Sequence, residues 1–387
     1  MNIFGTNFDY EARLEKVRKL MDERDVDCVL VHLWPNQYYI SGLYQHLPWY
    51  PLCQDDTTES PLIVFRDREK PPIFLCSYFT LNATREATWI EDVRAYDNES
   101  NLGPIEYVAK VLKENEVATG NIGVEDECLT IKTFKKFQKA LPEAQFKEVS
   151  SIFQLARTVK EPEEIELIRK AVEIAEAAMK VGMEVAKPGV TEMDVMREVE
   201  MEMRRGGSIR EVETMCQSGY RTTHLRAWAT EWKKIEENDL VMMDLGCIYK
   251  GYACDITRTW VVGTPTDEQK KIANDLYQVH EQVLDFIKPR VTHGDVTRYA
   301  NDLMGRLGYS DDQHKFPHRK YTFHGLGLGP FHDPPDNHHP DTVLEAGMFL
   351  SVQPTIRHEK YSIRFEDNVI VTPDGVELVN KLPKELI

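Results

Sequence analysis

The chain has 387 residues and carries 47 Lys and Arg against 64 Asp and Glu, a net charge of −17, which argues against nucleic acid or an anionic membrane as its main partner. With 42% hydrophobic and 10% aromatic residues it can build two domains that each bury a core, and it is too apolar to be disordered. No apolar run approaches the roughly 20 residues needed to span a bilayer.

The N-terminal MNIFGTNFDYEARLEK has no basic flank, apolar stretch or small-residue cleavage site, so no signal peptide is expected. Tyr10–Arg24 carries Leu14, Val17 and Met21 on one helical stripe. Cys28–Leu33, Pro61–Phe65 and Pro72–Cys76 read as short apolar strands, and Ile105–Asn115 and Ile131–Leu141 as helices, which together predict an α/β domain. The aromatic loop Tyr44–Cys53, with Trp49, Tyr50 and two prolines, reads as a domain or subunit contact. The seven cysteines (Cys28, Cys53, Cys76, Cys128, Cys216, Cys247 and Cys254) are scattered and form no CxxC motif. That is the pattern of reduced, mostly buried thiols in a cytoplasmic protein, and Cys254 reads as packing rather than as a ligand.

A boundary falls near Leu155–Glu161, giving domains at 1–155 and 156–387. Pro162 opens a helix at the first turn, where proline is favoured, and Ile165, Ile168, Val172, Ala175 and Met179 form its buried stripe, ending before Pro188-Gly189. An internal repeat follows. Lys187-Pro188-Gly189-Val190-Thr191-Glu192-Met193-Asp194-Val195-Met196-Arg197 matches the segment from Lys288 to Arg298 at seven of eleven positions. Thr191 and Thr292 fit helix N-caps with an acid three residues on, and the helices end at Gly206-Gly207 and Gly308.

Each copy is followed by an acidic hairpin. In LVMMDLGCIYKGYACDITRTW the strands Leu240–Leu245 and Ala253–Val262 flank Tyr249-Lys250-Gly251. Closure midway between Tyr249 and Lys250 puts Asp244 opposite Asp255, about 5 Å apart. Two carboxylates that close persist by sharing a proton or a cation, unless the turn lies at the surface. In the second hairpin, Met348–Pro354 and Arg364–Val371 fold about His358-Glu359-Lys360 and put Gln353 opposite Glu366. Between them, His324-Gly325-Leu326-Gly327-Leu328-Gly329-Pro330-Phe331-His332 carries a histidine at each end. Two Asp, a Glu and one imidazole suit Mn²⁺, Co²⁺, Fe²⁺ or Zn²⁺, one ion or two. His338-His339, between Asn337 and Pro340, reads as a solvated loop. Arg364 shares the strand face of Glu366 and is placed to orient that carboxylate.

The run DLG-x8-DITRTW, HGLG, HDPP, EAGMFLSVQP and RFED resembles the metallopeptidase family of pita-bread fold, which contains prolidases, aminopeptidases P and methionine aminopeptidases, with creatinase, ectoine hydrolase and some dimethylsulfoniopropionate lyases. The resemblance implies an α+β chain, a duplicated helix-plus-hairpin catalytic domain behind a smaller α/β domain, and a homodimer. It implies Asp244, Asp255, His324 and Glu366 as ligands of a two-metal centre, His332 as a substrate-contacting histidine, and Arg364 as the arginine preceding the last Glu. His224 lies near the family's upstream substrate histidine.

Two departures matter. The family's remaining ligand is a glutamate, and here it is Gln353, which coordinates without charge and is no base. By that count the ion on the His324 side should be the weaker. His324 and His332 are also eight apart, one more than is usual in the peptidases. The leading expectation is a hydrolase of a small amide such as an Xaa-Pro dipeptide, working through a metal-activated water. Gln353 and the creatinase-like Ser218-Gly219-Tyr220-Arg221-Thr222 keep open a C–N hydrolase or lyase of the same family. A binding-only module without metal has no reason to keep the four ligand types.

Overall fold

Two units divide the chain, Met1–Ala156 and Arg157–Ile387. The structure, a computed structural model, describes residues 5–44, 61–96, 102–224, 226–309, 323–329 and 340–384. Trp49 and Tyr50 of the aromatic loop, His332 and His338-His339 lie outside the described residues.

The first unit alternates α1 (Tyr10–Glu23), β1 (Cys28–Val31), α2 (Trp34–Ser41), β2 (Leu62–Phe65), β3 (Ile73–Cys76), α3 (Leu81–Ala87), β4 (Asp92–Ala95), α4 (Pro104–Glu114), β5 (Asn121–Val124), α5 (Ile131–Ala140) and β6 (Gln145–Glu148), and α6 (Ser150–Thr158) crosses the boundary. The strands form one sheet in the order β4-β3-β2-β1-β5-β6. β2 is antiparallel to both of its neighbours and the remaining pairs are parallel. Every residue of β1, β2 and β3 is buried, as strands covered on both faces require. Their apolar side chains meet those of α4 and α5 in a core that includes Leu30, Phe65, Leu75, Leu112 and Phe137. The strand expected over Cys28–Leu33 stops at Val31, because α2 opens at Trp34 with Pro35 in its first turn.

The second unit contains α7 (Pro162–Val185), α8 (Glu192–Arg205), β7 (Arg210–Ser218), β8 (Leu240–Tyr249), β9 (Tyr252–Ala253), β10 (Ile256–Val261), α9 (Asp267–Phe286), α10 (His293–Arg306), β11 (Phe323–Gly325), β12 (Phe349–Val352), β13 (Thr355–Arg357), β14 (Ser362–Arg364), β15 (Asp367–Val371) and β16 (Val376–Leu378). One sheet runs β10-β8-β7 and another β11-β12-β15-β16. An isolated bridge between Thr257 and Glu366 joins them.

The sequence repeat is a structural repeat. Thr191 and Thr292 both cap their helices in a box with Asp194 and Asp295. Gly189 N–H donates to Ile235 O and Arg290 N–H to Leu344 O, each at 2.9 Å, and the return bonds Ile235 N–H to Val190 O and Leu344 N–H to Val291 O are also 2.9 Å. Gly189 has φ 91° and Arg290, its counterpart, φ 74°, a left-handed conformation that suits the glycine and strains the arginine.

Candidate metal centre

The first hairpin is in a different register from the one expected. Lys250 and Gly251 both take positive φ, 49° and 94°, so they form the two central residues of a primed turn whose twist suits a hairpin. Tyr249 therefore pairs with Tyr252 and Asp244 with Thr257, not with Asp255. The strand expected over Ala253–Val262 breaks at Cys254 and Asp255. There Asn368 takes the place of a neighbouring strand: Asp255 N–H donates to its Oδ1 at 3.2 Å, and its Nδ2 donates to the Asp255 carbonyl. Cys254 is fully buried with its Sγ 3.9 Å from Cys247 O.

The second hairpin keeps its expected register through a break at its centre. Val352 pairs with Asp367 and Thr355 with Arg364, so Gln353 stands opposite Glu366 between those pairs. His324 pairs with Ser351, and Ser351 with Asn368. By alternation His324, Ser351, Gln353, Glu366 and Asn368 share one face. The glycine-rich segment then crosses to the first hairpin, where Ala253 N–H donates to Gly327 O at 2.9 Å and Tyr252 bridges Leu328.

Among the described residues, Asp255, His324 and Glu366 form one group whose ligand atoms all lie within 4.8 Å of one another. His324 Nε2 is 3.8 Å from Asp255 Oδ2 and 3.6 Å from Glu366 Oε1. These separations are long for hydrogen bonds and close to the roughly 3–4 Å between donors that share a cation at about 2.1 Å. Glu366 is 1% exposed, and hydroxyls hold both of its oxygens, Thr257 Oγ1 on Oε2 at 2.6 Å and Ser351 Oγ on Oε1 at 2.7 Å. Arg364 reaches across to the first hairpin. Its Nη1 donates to Asp244 Oδ2 at 2.5 Å, and its Nε to Thr355 Oγ1 at 3.3 Å.

Burial is the main force on these carboxyls. It raises Asp244 to about 6, aided by the charge of Glu366 and opposed by Arg364, and it raises Asp255 well above the usual range with Glu366 and Asp244 adding to it. Burial also acts upward on Glu366, but His324, Arg364 and Thr257 outweigh it and hold that carboxyl low. Three buried carboxylates facing one guanidinium are short of positive charge, which is what a divalent cation would supply.

His224 ends the short 3-10 helix Gly219–Thr223 and is exposed. That helix leans on the second hairpin: Ser362 N–H donates to Thr222 Oγ1 at 3.0 Å and Arg357 Nη2 to Thr223 O at 3.3 Å. Its anchor is Glu192, a residue the sequence reading passed over. The carboxylate is 0% exposed. It accepts from Ser218 N–H at 2.8 Å, Ser218 Oγ at 3.0 Å, Arg221 Nε at 3.0 and 3.1 Å, and Thr230 N–H and Oγ1 at 3.2 Å. The equivalent residue of the second repeat is His293, also buried. Its Nε2 lies 3.1 Å from Phe323 O and its ring stacks on Phe323 at 3.8 Å, one residue before His324. Thr257 was legible as the second residue after Asp255 on one strand face. Ser351, two before Gln353, and Asn368, two after Glu366, were legible by the same alternation.

Residues 166–373 match the model of metallopeptidase family M24, and residues 13–159 match the creatinase/prolidase N-terminal domain. The chain is 29% identical to an Xaa-Pro dipeptidase of Pyrococcus horikoshii over 97% of this chain and 98% of that protein. It is 32% identical to the uncharacterized peptidase YqhT of Bacillus subtilis over 97% of this chain and 99% of that one. Among solved structures, an Xaa-Pro dipeptidase from Bacillus anthracis superposes with a TM-score of 0.85 at 27% identity, covering 98% of this chain and 99% of that one.

Proposed function

The chain belongs to metallopeptidase family M24, and from that premise we propose that it is a metal-dependent peptidase that hydrolyses the amide bond of small Xaa-Pro substrates. The observation that carries the reading is the buried group Asp255, His324 and Glu366, with its ligand atoms inside 4.8 Å. Relatives named as Xaa-Pro dipeptidases match nearly the whole chain, which favours a dipeptide over the substrates of the creatinase-like or lyase branches.

Asp244, Asp255, His324, Gln353 and Glu366 are the ligand set in this reading. When bound, a divalent cation supplies a water of lowered pKa and polarises the scissile carbonyl. Thr257 and Ser351 fix the orientation of Glu366, and Arg364 fixes that of Asp244. His224 and His332 are assigned to the substrate, as donors to charge developing on its carbonyl oxygen. Mn²⁺, Co²⁺, Fe²⁺ and Zn²⁺ all suit this donor set. A homodimer is part of the proposal on the family resemblance. A reducing, cytoplasmic setting is part of the proposal on the scattered cysteines, which form no CxxC motif, and among the described residues no helix is long and apolar enough to cross a membrane.

The test is metal content together with turnover of a small Xaa-Pro panel. Chelation should abolish turnover and one added divalent metal should restore it. Asp255→Ala should lose turnover and bound metal while keeping a cooperative melt. Full activity in a chelated, metal-free sample would overturn the reading.

A further inference from the structure

We propose that this chain retains one divalent cation, in the group Asp255, His324 and Glu366, and that Gln353 is the residue that keeps a second from being held. The inference rests on the metallopeptidase reading and adds to it the number and place of the ions.

Charge sets the number. Three carboxylates, Asp244, Asp255 and Glu366, are all but sealed from solvent. Asp244 Oδ2 accepts from the buried guanidinium of Arg364 at 2.5 Å, which leaves two negative charges unmatched. One divalent ion balances them. A second would leave excess positive charge in a buried site, where uncompensated charge is expensive. The position able to correct this is 353, opposite Glu366 on the same face, and it holds a neutral amide.

Geometry sets the place. Asp244 is not in the group whose ligand atoms lie within 4.8 Å, and its Oδ2 accepts from Arg364 Nη1. His324 is in it, at 3.6 and 3.8 Å from the two carboxylates. The sequence alone ranks the ions the other way, with the His324 side weaker for lack of a charged ligand at 353. In the folded chain Asp244 is already engaged by a cation of the protein, and the imidazole side is the more complete.

The experiment uses the full chain stripped with chelator, Mn²⁺ as the probe, calorimetric titration, and metal analysis after gel filtration. Wild type should retain one equivalent, with any second ion bound at least tenfold more weakly. Gln353→Glu should retain two, with the electron paramagnetic resonance signature of a coupled manganese pair. His324→Gln should lose the retained ion. Two equivalents of similar affinity in wild type would overturn the proposal, as would one equivalent only in Gln353→Glu or an undiminished site in His324→Gln. If Gln353→Glu does not melt cooperatively, the wild-type stoichiometry and His324→Gln decide. No retained ion in wild type would instead count against the metallopeptidase reading itself.

Discussion

Glu192→Ala is the perturbation with the largest expected effect outside the ligand set. The carboxylate is fully buried and accepts from Ser218, Arg221 and Thr230. Its removal leaves the Arg221 guanidinium, itself 7% exposed, with the Trp228 carbonyl at 2.7 Å and the face of Trp232 at 5.1 Å. Removing one partner of a buried ion pair costs about 3–5 kcal/mol, most of it the penalty of stranding the other charge. For a unit the size of Arg157–Ile387, where each kcal/mol moves the midpoint by roughly 2–4 °C, that is a fall in Tm of about 6–20 °C.

Glu192→Gln keeps the shape but turns an amide N–H₂ toward donors, and should fall between wild type and alanine. Arg221→Ala strands Glu192 in turn. The double variant should therefore be less destabilised than the two singles added together, by about 1–3 kcal/mol. Urea and thermal unfolding of the four proteins measure this. Metal content should stay near wild type throughout, since no ligand touches Glu192, while KM should rise as the loop leading to His224 loosens. A Glu192→Ala protein within about 1 kcal/mol of wild type, or strictly additive singles, would refute the reasoning.

Thr257→Val removes the hydroxyl on Glu366 Oε2 (2.6 Å) with little change of shape, and should weaken metal binding roughly 10–100-fold in a chelator competition. Wild-type affinity there would mean that Ser351 alone orients the carboxylate. Arg290→Gly relieves a φ of 74° and keeps the backbone donor to Leu344 O. Strain relief of about 1–2 kcal/mol against roughly 0.5–1 kcal/mol of chain entropy predicts a variant as stable as wild type or up to about 1.5 kcal/mol more so by urea titration.

What the sequence made legible is what repeats or alternates. The Lys-Pro-x-Val-Thr frame and its aspartates predicted both capped helices, and the stripe from Ile165 to Met179 predicted α7. The second hairpin's register was readable because its strands keep one pairing across the break at Gln353. The first was not, because its turn depends on Lys250 adopting a left-handed conformation that nothing in a lysine announces, and a shift of two residues moved Thr257 into the place given to Asp255. β7 went unseen because the charged and polar run Arg210-Glu211-Val212-Glu213-Thr214 gives no clean alternation, and a bulge between Val212 and Met215 shifts its phase. The bond from Arg364 to Asp244 was hidden for a different reason. Strand register places a Cα, but a guanidinium at the end of a long flexible stem can reach across to the neighbouring sheet, and there Asp244 offered a buried charge.

The duplication also explains why two dissimilar residues do the same work. Thr191 and Thr292 are equivalent caps, so Glu192 and His293 are equivalent first residues of α8 and α10, and both are buried against the segment that leads to their own half's candidate histidine. In the first half that segment presents donors, the N–H of Ser218 and the guanidinium of Arg221, and only an acceptor can bind them. In the second half it presents the carbonyl of Phe323, 3.1 Å from the His293 ring, and only a donor can. A carbonyl oxygen cannot give a proton, so Nε2 of His293 must carry one. The inherited position is the same, and the chemistry of what it faces selects the side chain. The same rule applies where the halves meet. Glu366 enters from the second half and takes its hydroxyls from both, Thr257 from the first and Ser351 from the second, so the carboxylate at the middle of the candidate centre is oriented by each copy of the repeat.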